Sequence, residues 1–351
     1  MRKNKLFKIA LFAILALCLT GQVFAAGGGD KPAAAGELPV IRVAVMPWLL
    51  SLPAVHVSEQ GWDKENGFKV ELSVYPMGAP LLEAMGANLW DVATIGPAAV
   101  FSVANTGLKI IGNVSIASGG TGAFIRPDHP AAKIKGQVSG YPNVYGSAAT
   151  LKGSKVLVPV GSLNHYNVLQ WINIFGLKAE DVQVVHMDNA PAYQAFKAGE
   201  GDITAFSPPL TYTAMAEGWV NGAGCPELNI EIYDCIYANP RVYNQKKELM
   251  AKFMRQFYRA CDYLAANPAV TAKMNYEWQN KNGLNATMEN ATDEVKVRPY
   301  MTSDRARKEI PGASMKMLAE FYASIGRLEK DRLSNFNSET MTRELIDMAF
   351  K

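Results

Sequence analysis

The sequence predicts an α/β fold of two similar lobes, each a mostly parallel sheet flanked by helices, with a ligand cleft between them. The first observation is a stretch written twice. Ala79–Gly107 aligns without a gap on Ala190–Gly218 at a constant offset of 111, with identities at Ala79/Ala190, Pro80/Pro191, Ala84/Ala195, Ala87/Ala198, Asp91/Asp202, Pro97/Pro208 and Gly107/Gly218. Repeats at long period mark architecture. The second is that strand-length apolar runs alternate with helix-length segments on both sides of the repeat, which is the pattern of βαβ units. The third is length: the roughly 315 residues expected after the leader and linker exceed a usual single domain.

Residues 1–25 read as a signal peptide. Arg2, Lys3, Lys5 and Lys8 form a basic head, Ile9–Leu19 an apolar core too short to span a bilayer, and Val23-Phe24-Ala25 a small-residue cleavage site. Export to the periplasm follows; lipid attachment at Cys18 is the rival, weakened by the bulky Leu17 before it. Residues 26–37 are a Gly/Ala-rich linker. Removing the four head residues leaves 31 basic against 32 acidic groups, so the formal +3 is no sign of nucleic-acid binding. No later run is long and apolar enough to cross a membrane, and a monomer is expected.

In the first lobe, Val40–Val45 is a strand, Pro47–Ser51 a loop at its carboxyl end, Ala54–Gln60 a helix closed by Gly61, and Lys69–Tyr75 the next strand. The first repeat follows as a helix opened by Ala79-Pro80, a strand over Asp91–Ile95, and a helix begun at Gly96-Pro97. The second lobe echoes it: Lys155–Val158 a strand, Val160-Gly161-Ser162 a turn, Asn164–Phe175 a helix, Asp181–His186 a strand, then the second repeat. In Gly161-Ser162 the glycine lets the backbone approach a ligand while Ser162 caps the following helix, a cap that needs no ligand. Each repeat sets a helix N-terminus beyond the carboxyl end of a strand, where open α/β sheets bind ligands and where exposed N–H groups favour anions.

The crossings between lobes are expected at Gly122–Pro127 and Cys235–Tyr243, giving lobe 1 as 38–125 and 240–351 and lobe 2 as 126–239. After the second crossing the chain is almost wholly helical, with Phe253, Phe257 and Tyr258 as a packing stripe on Lys246–Ala266. Cys225 and Cys235 flank a Pro-Glu turn in an exported chain, so a disulfide between them is expected, unpaired thiols being the alternative. Cys261 reads as a small core residue, and no CxxC or paired His suggests a metal site.

Taken in order, EQGWDKENGFKVEL, EAMGANLWDVATIGPAA, LKGSKVLVPVGSLNHYNVLQWINIFGL, AYQAFKAGEGDITAFSPP and MKMLAEFYASIGRLEK resemble the substrate-binding proteins of nitrate-, sulfonate- and taurine-type ABC transporters, a family that also includes binders of thiamine-pyrimidine precursors. The order and spacing carry the resemblance, since no single motif is diagnostic. It implies the periplasmic-binding-protein fold, closure on a small molecule by hinge motion, and delivery to a permease with its ATPase. Carried over residue by residue, it implies ligand contacts from Trp48 and Leu49, from Pro97 and Ala98, from Gly161, Ser162 and His165, and from Phe206, Ser207 and Pro208, with Asn189 adding a polar contact. Gly136–Ala148 departs from the family as an insertion, either a surface loop or a Tyr-bearing flap near the cleft.

No nucleophile elbow, phosphate-binding Gly-rich loop or HExxH pair is present. A pyrimidine-synthesising enzyme shares the implied fold, but it needs a cysteine cluster and a cytosolic setting that this chain lacks; no cofactor is expected. A ligand sensor coupled to a membrane receptor is the other alternative. The expected pocket loops contain no Arg or Lys, and Arg126 is the nearest basic residue. With Trp48 and Phe206 as aromatic faces, the pocket suits a small organic anion with an apolar portion or a flat heterocycle better than bare nitrate.

Overall fold

The structure, a computed structural model, describes residues 37–351. The expected signal peptide, Cys18 and the linker up to residue 36 lie outside the described residues. Four strands open the described chain: β1 (Val40–Val45), β2 (Lys69–Val74), β3 (Val92–Ile95) and β4 (Lys109–Ile116). Five more follow: β5 (Gly122–Ile125), β6 (Lys155–Val158), β7 (Gln183–His186), β8 (Ile203–Phe206) and β9 (Val220–Gly224), before β10 (Tyr233–Ala238). They form two five-stranded sheets, ordered β2-β1-β3-β10-β4 and β7-β6-β8-β5-β9.

The two sheets share one plan. In the first, β1 runs parallel to β2 and β3, and β10 lies antiparallel between β3 and β4. In the second, β6 runs parallel to β7 and β8, and β5 lies antiparallel between β8 and β9. Strands β3 and β8 are buried at every position, because helices cover both faces of a central strand. The repeat maps onto equivalent parts of the two lobes: the Gly78–Gly86 helix precedes β3 as the Asn189–Lys197 helix precedes β8. Its shared acid has a backbone role in both. Asp91 accepts the Arg42 N–H at 2.9 Å and Asp202 the Lys155 N–H at 2.8 Å, each fastening the start of the neighbouring parallel strand.

The first sheet is discontinuous in sequence: β5–β9 form the second sheet in one run, and β10 returns to join β1–β4. The stretch Gly122–Ile125, expected as a crossing, is β5 of the second sheet, and Cys235–Ala238, the first part of the other expected crossing, belongs to β10 of the first. The chain passes between sheets earlier, at residues 117–121 and 225–232. These segments are short and offered little hydrophobic pattern, whereas the strands after them are apolar and extended.

The cysteine expectation is overturned: Cys225 and Cys235 are free and buried. The segment between them is itself the second passage between sheets, so the thiols end in different lobes. Cys225 Sγ donates to Asn167 Oδ1 at 3.2 Å and Cys235 Sγ to Asn113 Oδ1 at 3.6 Å. Cys261 is likewise free, in the first lobe's core.

The insertion Gly136–Ala148 packs on the second lobe. Val144 is buried in that lobe's core, Tyr145 N–H donates to Gly222 O at 2.8 Å, and Trp171 Nε1 donates to Tyr145 O at 2.8 Å. After β10 come the helices Lys247–Ala266, Pro268–Lys281, Met288–Val297, Ala313–Ser324 and Glu344–Ala349. Phe253, Phe257 and Tyr258 are buried in the first lobe as their spacing predicts.

Candidate functional site

The carboxyl ends of β1 and β8 bring two loops from opposite lobes to one cavity. Trp48 follows β1 and is 38% exposed; Ser207-Pro208-Pro209 follows β8. Together with Ala117 of the first passage, Tyr212, and residues of the C-terminal helical region including Gln279, Glu294 and Arg298, they line about 340 Å3. Thus Trp48, Ser207 and Pro208, expected from sequence, share one space.

Behind Ser207 runs a chain of hydrogen bonds along the second lobe. Ser207 Oγ donates to Asn164 Oδ1 at 2.9 Å, and Asn164 Nδ2 donates to Asn189 Oδ1 at 3.0 Å. Because the Ser207 proton is committed to Asn164, Thr121 must be the donor in its 2.9 Å bond to Ser207. The chain joins the helix starts after β6, β7 and β8 to the passage between lobes. Ser207 therefore offers a ligand its remaining oxygen lone pair and a fixed orientation. Thr121 and Asn164 were missed in sequence, since neither falls in the loop positions that the repeat marks.

Arg298, just beyond the Met288–Val297 helix, is the basic residue of the cavity, and sequence reasoning missed it too. One guanidinium nitrogen donates to Asp234 Oδ2 at 2.6 Å and another to Glu294 Oε1 at 2.9 Å. Asp234 also accepts from Ser115 at 2.6 Å, and Glu294 Oε2 from Asn275 at 2.9 Å and Gln279 at 3.0 Å. Burial opposes the Arg298 charge, but the two carboxylates outweigh it and raise its pKa further. One cation against two anions leaves the cluster net negative. Arg298 Nε and Tyr212 Oη are buried without a hydrogen-bond partner, so both stand as uncommitted donors. Burial pushes the Tyr212 phenol up to about 12, with Asp293 and Glu294 adding to the shift, so it stays protonated. Arg126, the sequence's nearest basic candidate, lies elsewhere: it donates to Phe196 O and Gly201 O and sits 4.4 Å over the Phe196 ring, near the start of β8.

The other expected residues divide. Leu49 and Phe206 have no exposed surface; their side chains fill the lobe cores, and their carbonyls already accept from Tyr300 Oη and Thr211 Oγ1. Pro97 and Ala98 form a short turn after β3, next to Gly96, where a Cβ would come within 3.5 Å of Asp234 Oδ1. Gly161, Ser162 and His165 meet the C-terminal part of the chain. Ser162 caps the Leu163–Asn173 helix through the His165 N–H, and Gly161, at φ +79°, lies so close to Arg327 that a Cβ would fall 2.5 Å from its guanidinium. The His165 and Tyr166 rings pack edge-on against Phe321 at 5.7 and 5.0 Å. Burial, reinforced by Arg327, lowers the His165 pKa to about 4; Nδ1 accepts the Gly161 N–H at 3.2 Å, which leaves the proton on Nε2. Asn189 is exposed at the start of its helix. Among the described residues no cluster of His, Cys, Asp and Glu is arranged to hold a metal.

The NMT1-like family model matches residues 34–276. A protein of Brachyspira hyodysenteriae, named as an ABC transporter periplasmic binding protein, is 34% identical over 346 residues, which cover 99% of each chain. The crystal structure of the periplasmic aliphatic sulphonate binding protein of Escherichia coli aligns with a TM-score of 0.65 at 18% identity, over 85% of this chain and 92% of that one. The periplasmic nitrate-binding protein of Synechocystis PCC 6803 aligns with a TM-score of 0.59 at 12% identity, over 89% of each. These likenesses bear out the expected fold.

Proposed function

The chain belongs to the NMT1-like family, and from that premise we propose that it is the extracytoplasmic solute-binding component of an ABC importer. It captures a small molecule between its lobes and hands it to a permease that works with an ATPase. The observation that carries this reading is the cavity of about 340 Å3 shared by Trp48 of one lobe and Ser207 of the other. A solute held there touches both lobes, so it stabilises the closed arrangement by the affinity it gains only when both walls are in place.

The charge of the cavity narrows the solute. Arg298 is already matched by Asp234 and Glu294, so a compact inorganic anion would face a net negative cluster with one spare N–H. A flat molecule that stacks on Trp48 and donates a hydrogen bond to Ser207 Oγ suits the site better. Small organic anions are the weaker reading, supported by the helix that starts just beyond Ser207.

Mass spectrometry of ligand carried through purification from the native host identifies the solute, and calorimetry then measures it. Ser207→Leu places bulk between the lobes and is expected to abolish binding. Trp48→Ala is expected to weaken a planar solute about tenfold or more, corresponding to about 1.4 kcal/mol, and to leave a compact anion nearly unaffected. Wild-type affinity in both variants would refute the site.

A further inference from the structure

The walls of the cavity between Trp48 and Ser207 carry a definite sign of charge. Asn290, Glu294 and Arg298 stand four residues apart, so one face of the Met288–Val297 helix and the residue just after it reach the cavity together. Glu294 and Arg298 are the charged lining residues, and Asp234 lies behind Arg298 at 2.6 Å. Two carboxylates against one guanidinium leave the wall net negative. Lys296 and Asp293, on the same helix, pair at 2.7 Å and add no net charge. The Tyr212 phenol on the cavity wall responds in the same sense: burial raises its pKa most, Asp293 and Glu294 raise it further, and Arg298 offsets only part.

The hydrogen-bonding groups that reach the cavity are acceptors. Gln279, on the Pro268–Lys281 helix, lines the cavity and is 8% exposed. Because the Glu294 carboxylate can only accept, it fixes the orientation of its amide neighbour: Gln279 Nε2 donates to Glu294 Oε2 and to Asn275 Oδ1, both at 3.0 Å. Both amide hydrogens are thereby used, and no described group donates to Gln279 Oε1. That oxygen is not closed off by protein atoms, whereas Arg298 Nε and Tyr212 Oη are. Ser207 Oγ has given its proton to Asn164 and can likewise only accept. An accepting oxygen on a nearly buried side chain is rarely left without a donor, and a donor that carries positive charge bonds more strongly and balances the excess carboxylate. The exposed ring of Trp48 adds a face that attracts cations.

We propose that the solute of this cavity is a flat, nitrogen-rich organic cation of the amidinium kind. Its N–H groups face Gln279 Oε1, Ser207 Oγ and the Glu294 carboxylate, and its plane lies on Trp48. This inference rests on the reading of the cavity as the solute site and adds the sign of the solute's charge.

The test ranks three probes of one outline by calorimetry on the full chain: benzamidine, benzamide and benzoate, which are positive, neutral and negative at neutral pH. Benzamidine is expected to bind about tenfold more tightly than benzamide, with benzoate the weakest. Trp48→Ala should weaken benzamidine about tenfold. Glu294→Gln removes the excess negative charge, so it should weaken benzamidine about tenfold, leave benzamide nearly unchanged and strengthen benzoate. The order of the three probes on the unaltered chain decides the charge even if Glu294→Gln fails to fold. If benzamide or benzoate matches benzamidine and its binding depends on Trp48, the cavity stands as the solute site and the charge assignment is overturned. If none of the three binds at millimolar concentration, or Trp48→Ala leaves every affinity unchanged, the cavity reading fails and the proposal falls with it.

Discussion

Arg298 shows how a single side chain can be central to a site and invisible in the sequence. The residues that the repeat marks supply loops at strand ends, but the cation comes from the helical tail, which has no counterpart in the repeat. Only the folded chain brings it to Asp234 on β10. Removing it should hurt more than a lost surface pair, because Asp234 is 1% exposed and would be left charged and without its cation. Arg298→Met is expected to cost about 3–5 kcal/mol, read as a lower urea midpoint, and adding Asp234→Asn should restore part of that loss; a single variant as stable as wild type would refute the argument. His165, expected in sequence as a polar contact, is held neutral by its environment. Its folded pKa of about 4 lies below the unfolded value near 6.5, so the unfolded chain binds more protons between those pH values. The contribution is fully present above about pH 6.5 and is lost as pH falls toward 4. Denaturation midpoints measured across that window should drop less steeply in His165→Gln; parallel slopes would mean that His165 does not titrate as described.

Elements were read more reliably than their partners. The strands and helices of both repeats fall where periodicity and proline placed them, because local pattern decides whether a short apolar run is extended or helical. What pattern cannot say is which sheet a strand joins, and β5 and part of β10 read as crossings in sequence because each follows a change of sheet. The same limit explains the cysteines, close in sequence and separated by the passage between lobes. Alkylation should therefore find Cys225, Cys235 and Cys261 unreactive in the native protein, where burial raises all three thiol pKa values, and all reactive after denaturation without reductant. A Cys225–Cys235 linkage in the mass map would contradict the structure. The repeated acids also permit a comparison between elements. Asp91 binds the Arg42 backbone and side chain and Lys246, whereas Asp202 accepts the Lys155 N–H from the equivalent place. Asp91→Asn is expected to destabilise by about 3 kcal/mol or more and Asp202→Asn by about 1 kcal/mol. Equal denaturation midpoints for the two would show that the extra cations on Asp91 add nothing.

At the scale of the whole molecule, the lobes touch at two places. One contact holds the cavity of Trp48 and Ser207; the other packs His165 and Tyr166 of the second lobe against Phe321 of the Ala313–Ser324 helix, with Arg327 over Gly161. This second contact buries apolar rings without lining the cavity, so under the proposed closure it favours the joined lobes whether or not a solute is present. A binding protein gains from such a contact only within bounds. If it is too weak, the solute must supply all the energy of closure, and if too strong, the cleft stays shut against entry. Phe321→Ala should therefore shift the solute-free protein toward open forms while leaving the cavity's own contacts untouched. Small-angle scattering is expected to show a larger radius of gyration for the variant without solute and a return to the wild-type value at saturation. Calorimetry should show weaker binding, since the solute must now drive closure from a more open ensemble, with affinity falling by the fraction of closed form lost. If the variant keeps the wild-type radius without solute and binds with unchanged affinity, the ring contact does not govern closure, and the balance between open and closed forms must lie in the passages at residues 117–121 and 225–232.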